Sequence, residues 1–93
     1  MFVGAARVEL HVHGSQSLKQ KRGVVKSILQ RVRNRFNVSV AEVGGQDTWQ
    51  IAVIGLTTAA NEGHVARQRL EKAVDFIEGL HLAEVTSQEI EIL

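Results

Sequence analysis

Ninety-three residues make one small domain, residues 1–93, with enough chain for a single hydrophobic core and not for two. The composition, 44% hydrophobic and 23% charged, is that of an ordinary globular chain, and the absence of cysteine excludes a disulfide framework and any thiolate metal site. A formal net charge of +1 hides a strong asymmetry: no Asp or Glu lies between Leu10 and Ala41, whereas eight of the ten acids lie from Asp47 onward.

Residues 2–13 alternate, with Phe2, Ala6, Val8, Leu10 and Val12 on one face and Arg7, Glu9, His11 and His13 on the other. Period two over this length predicts a half-buried strand. Gly14-Ser15-Gln16-Ser17 is a turn in which Ser15 or Ser17 can cap a following helix. That helix is predicted over about residues 17–35. At 100° per residue from Leu18, Leu18, Val24, Val25, Ile28, Leu29, Val32 and Phe36 fall in an arc of about 140°, the core face.

Seven of the eleven Lys and Arg residues crowd onto this helix: Lys19, Lys21, Arg22, Lys26, Arg31, Arg33 and Arg35. Lys19, Arg22, Lys26 and Arg33 form one stripe beside the apolar arc, and Lys21, Arg31 and Arg35 fall on the opposite flank or within its edge. So local an excess of positive charge is the footprint of a surface that meets phosphate or another polyanion. The bland reading is a solvated helix face whose bases pair with Glu71, Asp75 and Glu78 on a neighbouring helix. Such surface pairs contribute only ~0–1 kcal/mol each, which leaves the one-sided bias unexplained.

Asn37–Val43 is a β-branched strand, and Gly44-Gly45-Gln46-Asp47-Thr48 is a hairpin-length turn with glycines for positive φ. Trp49–Thr58 is a third strand, apolar on both faces. Trp49, Ile51 and Val53 share one parity, and an exposed patch of that kind marks an interface, here expected to join two copies in a homodimer. Asn61 is expected to cap a second helix over about residues 62–79, with Val65, Ala66, Leu70, Ala73, Val74 and Ile77 inward. Leu82–Leu93 is the last strand, and Glu84, Glu89 and Glu91 read as its solvated or edge face.

The order βαββαβ, with short right-handed crossovers, implies an α+β ferredoxin-like plait: a four-stranded antiparallel sheet in the order 4-1-3-2, with both helices on one face. Phe2 and Phe36 are expected to be buried. The first strand would display Arg7, Glu9 and His11 where a sheet that stacks RNA bases displays aromatics. Nucleic-acid contact is therefore expected through the helix and not through the sheet.

The segments ELHVHGSQSLKQKR and RFNVSVAEV resemble the YlxP-like family of small bacterial proteins, and the likeness extends over nearly the whole chain. The resemblance implies a ferredoxin-like plait, in agreement with the pattern above. Genes of this family lie in many bacteria beside those for translation initiation and ribosome maturation proteins, which implies a role near the ribosome. One departure is the turn Val43-Gly44-Gly45-Gln46, which is more polar in many relatives.

No nucleotide-binding loop is expected, because neither GxGxxG nor GxxxxGK[ST] occurs, and no catalytic constellation is expected, because the spacing supports no Ser-His-Asp arrangement. His11 and His13 share a parity and could lie near Trp49 and Asp47. As metal ligands they would need a further donor, for which Asp47, Glu9 and His81 are the candidates; polar strand residues are the commoner explanation. No metal or cofactor is therefore expected. The sequence supports a non-enzymatic cytoplasmic protein, with no membrane-spanning run, that binds RNA or a ribosomal particle. A homodimeric scaffolding or ligand-sensing plait without a nucleic-acid role is the alternative.

Overall fold

Alternation in the first strand decides which face of the sheet is covered. Ala6, Val8, Leu10 and Val12 are buried, whereas Arg7 is exposed and Glu9 and His11 are half-buried. The computed structural model describes residues 1–93, in the order β1 (Phe2–His11), α1 (Leu18–Arg35), β2 (Ser39–Gly44), β3 (Ile51–Ala60), α2 (Gly63–Gly79) and β4 (Glu84–Ile92). The strands form one antiparallel sheet in the order β2-β3-β1-β4. This is a ferredoxin-like α+β plait, with the two crossovers and the strand order that the pattern predicts.

The core lies between the sheet and the helices. Val25, Ile28 and Val32 of α1 and Leu70, Ala73, Val74 and Ile77 of α2 pack with Val8, Leu10, Ala52, Ile54 and Leu56. Phe36 and Phe76 meet edge to face at 5.5 Å between ring centroids, which joins the end of α1 to α2. Close packing also explains Gly4: a Cβ there would approach Leu70 Cδ1 to 2.8 Å.

Several local expectations change. Ser17, not Ser15, caps α1, its hydroxyl accepting from the Gln20 N–H at 3.1 Å. Asn61 does not cap α2; Glu62 occupies that position and makes no side-chain cap bond. Phe2 is 42% exposed, because it stands at the outer end of β1. The third strand begins at Ile51 and not at Trp49, since the hairpin closes as a longer turn. Gly45 adopts φ 74°, and its carbonyl accepts from the Thr48 N–H at 3.1 Å. A register shift between Glu42 and Gly44 adds an irregularity on the β2 side of that turn.

Candidate nucleic-acid interface

Helix α1 carries its bases where helix electrostatics is divided about them. Arg33 and Arg35 lie in the last turn, where the macrodipole favours cations, but no acid stands in the first turn, where it favours anions. Lys19 and Lys21 sit there instead. A base at the wrong end of a helix indicates a requirement other than helix stability.

The seven bases divide into three groups. Lys19, Arg22 and Lys26 are exposed, and none makes a hydrogen bond or ion pair with another residue. Their i, i+3, i+7 spacing puts them on one side of α1 over about 10 Å of helix. Arg31, Arg33 and Arg35 are also exposed but tethered. Arg31 Nε donates to Ser27 Oγ at 3.2 Å, Arg33 Nη2 donates to the Val40 carbonyl at 2.9 Å, and the Arg35 guanidinium lies 5.1 Å from the Phe76 ring centroid. The alternative pairing with Glu71, Asp75 and Glu78 does not occur: Lys21–Glu42 is the one Lys or Arg ion pair, and the remaining contacts of basic side chains with acids are His13–Glu84 and His64–Glu62.

Lys21 leaves the predicted set of phosphate-contacting bases, because its side chain is fully buried. Its Nζ donates to the carbonyls of Gly45 at 2.5 Å and Ile51 at 3.1 Å, and it lies 3.6 Å from Glu42 Oε2. It clasps the β2–β3 hairpin to α1 and presents no charge to a phosphate. The helical wheel carried the signal: Lys21 falls at about 300°, between Ile28 and Val32 in the apolar arc.

The predicted interface triad also separates. Trp49 is 57% exposed and Ile51 half-buried, but Val53 is only 6% exposed. Gly44 approaches Val53 so closely that a Cβ on Gly44 would come within 3.3 Å of the valine Cβ. The exposed apolar side chains of the hairpin are Trp49 and Val43.

Beside the start of the stripe, the sheet gathers polar side chains. The His11 and His13 rings lie 3.9 Å apart, centroid to centroid, and His13 Nε2 is 2.8 Å from Glu84 Oε1. His11 Nε2 lies 3.3 Å from Gln50 Oε1, and Gln50 Nε2 donates to the Ser15 carbonyl at 3.2 Å. The third member of the cluster is Glu84, and not Asp47, Glu9 or His81, because His11 and Glu84 stand opposite each other in the β1–β4 register. An open groove of about 710 Å³ runs from His13 past Ser15 and Gln20 to Lys19 and Ser27. His11, His13 and Glu84 are the residues with the donor types and proximity to hold a cation.

Residues 3–90 match the family described as "Protein of unknown function (DUF503)". The chain belongs to the DUF503 family. Over 77 residues it is 39% identical to "Uncharacterized protein YlxP" of Bacillus subtilis (strain 168), a match covering 83% of this chain and 84% of that relative. Among solved structures, an asparagine-to-alanine variant of SnoaB, a cofactor-independent oxygenase from Streptomyces nogalater, superposes with a TM-score of 0.51. That match covers 99% of this chain and 90% of SnoaB, at 11% identity, and shows a common fold alone. No helix of this DUF503 protein is long and apolar enough to cross a membrane.

Proposed function

We propose that this DUF503 protein is a small non-enzymatic binding protein that meets RNA or a ribosomal particle through the exposed side of α1. Lys19, Arg22 and Lys26 contact phosphates, and Arg31, Arg33 and Arg35 extend the positive surface toward the helix C-terminus. The observation that carries this reading is the unpaired state of the first three, on a helix whose dipole disfavours a base in its first turn. Contacts of this kind recognise backbone and shape and depend steeply on salt. In co-sedimentation with ribosomal subunits or structured RNA, Lys19→Gln with Lys26→Gln should lower the slope of log affinity against log salt by about two units. Lys72→Gln, on α2, should leave it unchanged. An unaltered slope in the double variant would remove the helix from the binding surface.

The exposure of Trp49 and Val43 favours a second reading, a homodimeric scaffolding or ligand-sensing plait without a nucleic-acid role. It requires a concentration-dependent dimer in sedimentation velocity that Trp49→Glu dissociates, together with no RNA affinity at physiological salt.

A further inference from the structure

We propose that His11, His13 and Glu84 form a binding site for a divalent transition-metal ion, with zinc the best fit. One donor atom from each residue lies within 4.8 Å of the others. Tetrahedral zinc with bonds of about 2.0–2.1 Å separates its donors by roughly 3.3 Å. The 2.8 Å contact between His13 Nε2 and Glu84 Oε1 must therefore open by about 0.5 Å to admit the ion, a modest rotation for two exposed side chains. Two imidazoles and one carboxylate select zinc, copper, nickel or cobalt over magnesium and calcium, which prefer oxygen donors.

The backbone brings the donors together before any ion arrives. His11 and Glu84 are directly opposite on adjacent antiparallel strands, and His13 follows His11 by two residues, just past the end of β1, with its ring 3.9 Å from that of His11. The Val12 N–H donates to the Gln50 carbonyl at 2.7 Å, which keeps the chain extended past the end of β1. Gln50 also sets the His11 tautomer. Its amide nitrogen donates to the Ser15 carbonyl, so its oxygen faces His11 Nε2, which must then carry the proton. His11 Nδ1 is thereby left as the lone-pair donor, with the other ring nitrogen held by a second residue as in established metal sites. Three protein donors leave coordination to be completed by water or an exchangeable ligand. The site uses none of the bases assigned to phosphate and stands or falls independently of them.

Zinc titration of the full chain against a chromogenic chelator tests the assignment. One ion should bind per chain, with affinity reduced about tenfold or more in His11→Ala, His13→Ala and Glu84→Gln, and also in Gln50→Leu, which frees the His11 tautomer. His64→Ala should retain the native affinity, and excess magnesium should not compete. Ring resonances of His11 and His13, and not of His64, should move on zinc addition to the unmodified chain, a readout that does not depend on a variant folding. Native affinity in the His11→Ala/His13→Ala double variant, or equal movement of the His64 resonances, would overturn the site.

Discussion

Replacing Lys21 by methionine retains most of the stem volume and removes the ammonium group. In the native protein that group holds the carbonyls of Gly45 and Ile51 and is the cation nearest Glu42, whose Oε2 is buried without a hydrogen-bond partner. Breaking a buried ion pair from one side is destabilising by about 3–5 kcal/mol, because the remaining charge stays desolvated. The Glu42 side chain keeps 17% of its surface, which places the expected loss near the lower end, about 3 kcal/mol. The two hydrogen bonds belong to the same interaction and are not added to it. A chain of this length has roughly 5–14 kcal/mol in all, so the loss is a large fraction of its stability. In urea, followed by far-ultraviolet circular dichroism, the midpoint should fall by about 1–3 M. Adding Glu42→Gln should restore about 1 kcal/mol or more, since a neutral amide is cheaper to bury than an unpaired carboxylate. A Lys21→Met protein within about 1 kcal/mol of native stability would refute the clasp, as would no recovery with Glu42→Gln. Where Lys21→Met remains folded, the salt slope of RNA binding should match that of the native protein, in contrast with Lys19→Gln/Lys26→Gln.

Gly45→Ala places a side chain at φ 74° and brings its Cβ within 2.8 Å of the Ile51 carbonyl oxygen, one of the acceptors of Lys21. A loss of about 2 kcal/mol or more is expected in the same urea assay, with loosened amide-exchange protection along the β2–β3 hairpin. Ser17→Ala removes the cap on the Gln20 N–H and should lower stability by about 1 kcal/mol, whereas Ser17→Asp should preserve it.

The helical and strand periods carried most of the fold. Period two in residues 2–13, an apolar arc on α1 and a glycine-containing turn before residue 51 lead directly to the plait. Local pattern was less able to find element ends. Asn61 has the right chemistry for a cap, but the helix starts two residues later, and Trp49 has strand propensity but falls in the turn. The candidate site was legible in part. Lys19, Arg22 and Lys26 are where the wheel puts them. Lys21 lies in the apolar arc, and its burial depends on carbonyls 24 and 30 residues away that no helical pattern reveals. Glu84 is likewise a partner of His13 across 71 residues, and a strand of alternating acids reads as solvated until its register is known.

The sequence by itself determined the βαββαβ order, the inward faces and the concentration of bases on the first helix, because each depends on spacing within one element. The tertiary structure decided which of those bases are available to a ligand, which one is spent as a buried clasp, and which acid joins the two histidines. Those outcomes depend on contacts between elements distant in the chain, where burial and register, not residue type, set what a charged side chain can do.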